Sequence, residues 1–223
     1  MRPKAAAIAV AVTSLLGVGA STLGTPAGAS VANAPKTTVY RVNLRQLNHS
    51  GASGVAILRL TGVQLDVLID AKHLLPNSVH AQHIHGAGSS ECPPPSAAGP
   101  DGILSTTDGL PFYGPIVSSL TTSGDTSPAA GLTIELMPVA NARGVIHYHR
   151  TITLAPEVAA NIRDFQIVQH GVDFNHSGAY DFGAGPSDLK AELPQEATAP
   201  ADCGTIDLNP HRQVHHRNRH HRR

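Results

Sequence analysis

The stretch GVAILRLTGVQLDVLIDA, residues 54–71, decides the fold. Apolar residues alternate with polar or small ones on both sides of Thr61–Val63, which contains a glycine. A period of two is typical of a half-buried β-strand, and two such runs around a short glycine-containing break predict a hairpin. We therefore predict adjacent antiparallel strands over Gly54–Leu60 and Gln64–Ala71.

Similar short runs flank this hairpin, starting with Thr38–Leu44 and continuing through a histidine-bearing strand. Further strands are predicted at about Pro115–Leu120, Leu132–Met137, Gly144–Leu154, Phe165–His170 and Asp202–Leu208. Pro156–Ile162 predicts a short helix, because proline suits the first helical position and the apolar spacing is helical. About eight short strands favour an all-β fold, an antiparallel β-sandwich or Greek-key barrel with one short helix. A long loop rich in Pro, Gly and Ser is predicted over Ser89–Gly114.

The N-terminal 29 residues have the three parts of a secretory signal peptide. Arg2 and Lys4 precede an uncharged run over Ala5–Ala20, and a small-residue stretch ends at Ala29. The apolar run is shorter than the roughly 20 residues of a membrane span. We expect cleavage after Ala29 and a secreted, extracellular or periplasmic protein without a later transmembrane segment.

After a linker over residues 30–36, residues 37–208 are long enough for one domain with its own core. The formal net charge of the chain is zero, but the leader contains two basic residues and the tail five arginines, with no acid in either. The remainder therefore has nine basic against sixteen acidic residues. This acidic balance argues against nucleic-acid binding by the folded domain.

The tail, residues 209–223, is of low complexity, with five histidines and five arginines. It lacks the apolar residues of a packed core, so we expect it to be disordered. Histidine-rich tracts bind transition metals, and protonation near pH 6 increases the attraction to anionic surfaces. The alternative is a solvated terminus without a selected role.

The chain contains two cysteines, Cys92 and Cys203. In an exported chain, the oxidising compartment predicts that they form a disulfide. The alternative is two free thiols.

His83 and His85 lie two residues apart in a strand-like run. Residues at i and i+2 of a strand face the same side, so the two imidazoles can share one ligand. His80 should face the other way in a regular strand. His147 and His149 form a second such pair, which we predict to be solvated, because the residues between and beyond them are apolar.

Three segments together carry a resemblance to known proteins: His83–Gly86 ahead of a cysteine-bearing loop, Ile167–Gly171, and Cys203–Gly204. The combination resembles the secreted CHRD (chordin-type) domain family and, more distantly, the copper/zinc superoxide dismutases. The resemblance spans roughly Val39–Leu208.

This resemblance implies that His83, His85 and His170 are copper ligands and that Cys92 pairs with Cys203. It implies superoxide dismutation, in which copper alternates between two oxidation states as superoxide is oxidised and then reduced. The dismutases also have a zinc subsite with histidines in the loop after the first cysteine, but residues 93–144 contain no histidine. A dismutase-type zinc subsite is therefore absent, whereas three histidines suit copper or zinc.

Two other interpretations stay open. The three histidines could be structural, with imidazoles hydrogen-bonded across strands, in a non-catalytic extracellular binding module. Such a module could be stabilised by calcium, because residues 173–181 have the D-x-N-x-S-G spacing of a calcium loop. Its candidate oxygen ligands are Asp173, Asn175, Ser177 and Asp181.

Overall fold

The structure is a computed structural model that describes residues 35–208. The predicted signal peptide, the linker before Pro35 and the tail lie outside the described residues.

The described residues form nine strands and three short α-helices. The strands are β1 (Thr37–Gln46), β2 (Ser53–Thr61), β3 (Gln64–Lys72), β4 (Gln82–His85), β5 (Ile116–Ser119), β6 (Ile146–Thr153), β7 (Gln166–His170), β8 (Pro200–Thr205) and β9 (Asp207–Leu208). The helices are α1 (Thr106–Tyr113), α2 (Pro156–Ala160) and α3 (Gln195–Thr198). Short 3₁₀ turns lie at Pro95–Ala97, Pro128–Leu132, Ile134–Leu136, Ile162–Asp164 and Phe182–Ala184.

All strand pairs are antiparallel, in the order β5-β4-β7-β8-β1-β2-β3-β6, with β9 on β1. Strand β1 changes partners along its length: residues 37–44 pair with β2, whereas Arg45 and Gln46 pair with β8. The sheet therefore curls at β1 into two halves that enclose the core. The prediction of an all-β, antiparallel fold is confirmed.

The predicted alternation places the apolar side chains of the hairpin inside. Leu58, Leu65 and Val67 are fully buried and pack in one cluster with Ile84 and Ile167 from the other half of the sheet. Burial of each such side chain stabilises the fold by about 1.5 to 3 kcal/mol. Because Ile84 and Ile167 face this core, their neighbours in β4 and β7 face the opposite side of the sheet.

Part of that opposite side is covered by the segment between β4 and β5. The Cys92–Cys203 disulfide joins this segment to β8, with a Cα–Cα distance of 5.8 Å, so the predicted cysteine pairing is confirmed. The segment was predicted to be a loop, but it contains helix α1. Ser105 and Asp108 form a capping box at the start of α1, a local signal that the high glycine and proline content of the segment obscures.

The prediction of a strand at Leu132–Met137 is wrong. This segment follows Pro128 and forms successive tight turns, in which the backbone amides of Thr133, Leu136 and Met137 donate to carbonyls three residues earlier. Leu132 is 46% exposed and Ile134 is 45% exposed, so the alternating pattern does not correspond to a buried face.

The disulfide closes a loop with a sequence separation of 111 residues. We expect the double substitution Cys92→Ser/Cys203→Ser to lower the free energy of unfolding by about 4 to 5 kcal/mol, because it releases the constraint on the unfolded chain. Urea denaturation of both proteins at equal concentration measures this loss. Equal midpoints and slopes would contradict it.

Candidate metal centre

Three histidines converge on the covered face of the sheet. His83 and His85 project from β4 on the side opposite Ile84, as predicted. His170 ends β7, where its backbone N–H donates to the carbonyl of Ala81 at 2.8 Å. The antiparallel register thus carries His170 past the start of β4 and onto the face where the other two rings lie.

The rings are close together and almost completely buried. One nitrogen of each ring lies within 4.8 Å of one nitrogen of each of the other two. The exposed fractions are 3% for His83, 1% for His85 and 4% for His170. Within residues 35–208, no second group of three or more His, Cys, Asp or Glu side chains converges in this way.

In each ring, one nitrogen binds a backbone carbonyl. His83 Nε2 lies 3.0 Å from the carbonyl oxygen of Gly131, His85 Nδ1 lies 2.8 Å from that of Gly114, and His170 Nδ1 lies 2.7 Å from that of Thr198. A carbonyl oxygen only accepts, so these three nitrogens carry the hydrogen. His83 Nδ1, His85 Nε2 and His170 Nε2 are therefore lone-pair nitrogens.

These three lone-pair nitrogens are buried and have no hydrogen-bonding partner. An unsatisfied buried acceptor costs about 1 to 3 kcal/mol, and such groups are uncommon in folded proteins. One such nitrogen on each of three neighbouring rings is the pattern of a metal-ligating set, in which the opposite ring nitrogen is fixed by a hydrogen bond.

Burial also keeps the three rings uncharged. Desolvation lowers the pKa of His85 to about 3, with a further contribution from the nearby His170 ring. Desolvation lowers the pKa of His170 to about 4, although its bond to Thr198 opposes the shift. The pKa of His83 is lowered well below its ordinary value, by desolvation and then by the other two rings. At neutral pH all three therefore present a free lone pair.

The carbonyls that orient the rings come from three different covering segments, after α1, in a 3₁₀ turn and in α3. Gly114 has a φ of 77°, and a Cβ there would overlap the carbonyl of Gly86. Glycine thus lets the chain approach closely enough to meet His85. Tyr113 packs its ring against His85, with centroids 4.6 Å apart. No ring of the group is more than 4% exposed, so the site is enclosed.

Sequence reasoning found the three histidines but missed these surroundings. Backbone carbonyls carry no side-chain signature, and Gly114, Gly131 and Thr198 are distant from the histidines in the chain. Tyr113 lies in the helix that was predicted to be a loop.

His80 is buried outside the group. Its Nδ1 lies 2.9 Å from the carbonyl oxygen of His170, and its Nε2 lies 3.1 Å from that of Leu75. A neutral imidazole has one N–H, so it donates to only one of these carbonyls. The Tyr180 hydroxyl lies within 3.3 Å of both ring nitrogens, and His80 does not belong to the three-histidine group.

The exposed pair on β6 behaves as predicted. His147 and His149 project outward, each with a nitrogen 2.6 Å from a carboxylate oxygen, of Asp70 and Asp66 respectively. Both side chains are exposed and lie outside the three-histidine group.

The predicted calcium loop lies at the surface and is held by its own hydrogen bonds. The Asp173 carboxylate accepts from two backbone amides of the loop, and Asp181 accepts from the Asn175 side chain at 3.1 Å. The Ser177 hydroxyl donates to a carbonyl of the loop. Buried Glu196 binds two more of its amides. Calcium binding stays a prediction.

The lowered pKa values predict a stability loss in acid for the metal-free protein. The unfolded chain binds a proton at each histidine below about pH 6.5, whereas the folded chain leaves the His85 and His170 rings neutral to about pH 4, and the pKa of His83 is lowered as well. Each ring therefore lowers the free energy of unfolding by about 1.4 kcal/mol per pH unit as the pH falls through this window. Urea denaturation from pH 7.5 to 4.5 measures the slope. His85→Gln should reduce the slope by about 1.4 kcal/mol per pH unit, the share of one ring. An unchanged slope would contradict the assignment.

No model of a known protein family matches the chain, and no curated protein matches its sequence. None of the described helices is long and apolar enough to cross a membrane. The disulfide agrees with an extracellular protein. The functional conclusion therefore rests on the geometry of the three-histidine site.

Proposed function

We propose that this chain is an exported protein that binds a transition metal ion, with copper favoured, through His83 Nδ1, His85 Nε2 and His170 Nε2. The observation that carries the proposal is the convergence of three buried lone-pair nitrogens without partners. A metal ion would satisfy all three acceptors at once. The signal-peptide pattern and the disulfide support export.

The dimensions of the group fit such an ion after a small contraction. Three nitrogens within 4.8 Å of one another surround a central point at most about 2.8 Å from each, and metal–imidazole bonds are about 2.0 to 2.1 Å long. Movements of less than about 1 Å per ring close this gap. The carbonyls that orient the rings already impose the required tautomers.

The chemistry of the three histidine ligands limits which metal ions suit the site. Neutral imidazoles suit copper and zinc, and the general order of affinities places copper above zinc. The group contains no carboxylate. Magnesium and calcium prefer oxygen ligands, so the site is unfavourable for either ion. The resemblance to copper/zinc superoxide dismutases, which rests on the same histidines, also favours copper.

The enclosure of the site supports metal binding without turnover. Superoxide would have to reach the metal, yet no ring of the group is more than 4% exposed. We therefore favour a non-catalytic extracellular role over superoxide dismutation, in which the metal would supply electron transfer to and from superoxide.

Copper titration tests the proposal. In the mature protein with its five tail histidines replaced by Gln, we expect one tightly bound copper ion per chain, and loss of that ion in His83→Gln. The tail histidines are removed because they can bind metal by themselves. Isothermal calorimetry measures the stoichiometry.

The matched control is His147→Gln/His149→Gln, which removes an i, i+2 histidine pair from the surface and should leave the stoichiometry at one. Undiminished copper binding in His83→Gln would contradict the proposed site.

A dismutation assay addresses the reaction. We expect the copper-loaded protein to accelerate superoxide decay little beyond a matched amount of His85→Gln protein, because the ligands are enclosed. Rapid decay that depends on His85 would contradict the non-catalytic role and support a dismutase.

A further inference from the structure

A row of buried polar side chains crosses the sheet directly behind the histidines, on the core face. The strand registers place Gln82 of β4 opposite Gln169 of β7, and Gln169 opposite Asp202 of β8. All three side chains are fully buried. An uninterrupted polar row is unusual next to Ile84 and Ile167, which belong to the apolar core.

The hydrogen bonds in this row all run the same way, since each glutamine donates toward the Leu120 carbonyl. Gln82 Nε2 donates to the carbonyl of Leu120 at 3.0 Å, and Gln169 Nε2 donates to Gln82 Oε1 at 3.0 Å. The Leu120 carbonyl can only accept, so it fixes the orientation of the Gln82 amide. That amide in turn fixes the orientation of Gln169, because reversal would place two oxygens against each other.

The row ends in atoms without partners. Gln169 Oε1 and both carboxylate oxygens of Asp202 are buried and make no hydrogen bond. Residues opposite each other in an antiparallel pair have Cβ atoms about 4.5 to 5.5 Å apart, within reach of a side-chain hydrogen bond. An ionised carboxylate has no donor for Gln169 Oε1, whereas a protonated one has exactly one.

We propose that Asp202 is a neutral carboxylic acid in the folded protein, that it donates its proton to Gln169 Oε1, and that the resulting chain from Asp202 to the Leu120 carbonyl positions the histidine site. Gln82 and Gln169 directly precede His83 and His170, so the chain ties together the strands that carry these rings. The positioning role rests on the proposed metal binding, whereas the protonated state of Asp202 does not.

The electrostatic surroundings agree with the neutral form. Burial raises the pKa of the Asp202 carboxyl to about 8, and the Gln169 backbone amide, which does not reach hydrogen-bonding geometry, offsets only part of that rise. The side chains opposite Asp202 in β7 and β1 are Gln169 and Gln46, neither of which titrates. Among the described residues, no charged group contributes to this pKa shift.

The matched variants for a test are Asp202→Asn and Asp202→Leu. Asparagine supplies an N–H donor to Gln169 at every pH, whereas leucine has a similar size and no donor. The histidines are identical in all three proteins, so their contribution to the pH dependence cancels in a comparison.

The protonation is tested on metal-free full-length mature protein. An unfolded Asp202 ionises near pH 4 and a folded one near pH 8, so stability falls as the pH rises through this window. The unfolding equilibrium constant of the wild type, divided by that of Asp202→Asn, should rise about tenfold per pH unit from pH 4 to 8 and then level off. Infrared difference spectra at pH 6 should show a protonated carboxyl absorption that Asp202→Asn lacks.

A ratio that is flat from pH 4 to 8, without that absorption, would overturn the protonated state and indicate a carboxylate solvated by buried water. If Asp202→Leu fails to fold, these two measurements on Asp202→Asn still decide the matter.

Copper affinity tests the positioning role. We expect Asp202→Asn to retain the wild-type affinity and folded Asp202→Leu to bind copper at least tenfold more weakly. Equal affinity in the wild type and Asp202→Leu would overturn positioning. Absence of copper binding in the wild type would contradict the proposed function and the positioning role that rests on it, while leaving the protonated Asp202 intact.

Discussion

The register of β4 against β7, and of β7 against β8, is the constraint on which the rest of the structure depends. Side chains alternate between the two faces of a strand, so a slip of one residue would exchange the faces. Ile84 and Ile167 would leave the core, and His83 and His85 would enter it. The apolar core thus stabilises the register, and the register determines which side chains meet on the other face.

Burial shifts the pKa values on the two faces of these strands in opposite directions, but on both faces it favours the uncharged form. It lowers the pKa of His83, His85 and His170, and it raises that of Asp202. Each shift favours the uncharged form, because charge is costly in a region that water does not reach. The covered face therefore presents lone pairs, and the core face presents hydrogen-bond donors and acceptors.

Much of the fold follows from local patterns in the sequence. The hairpin of β2 and β3 was predicted almost to the residue, because alternation and a glycine-containing break act over short distances. Two segments between strands were predicted incorrectly. The segment at Leu132–Met137 has the composition of a strand, but it follows Pro128 and closes tight turns within itself. Helix α1 was missed because its capping box stands among glycines and prolines.

The sequence by itself determined the class of fold, the pairing of Cys92 with Cys203, and the shared face of His83 and His85, because these depend on spacing and compartment. The tertiary structure decided which lone pairs face one another, which carbonyls orient them, and how completely they are enclosed. Those features depend on contacts between Gly114, Gly131 or Thr198 and rings far from them in the chain. They arise only when the covering segments pack on the sheet, and no local pattern encodes them.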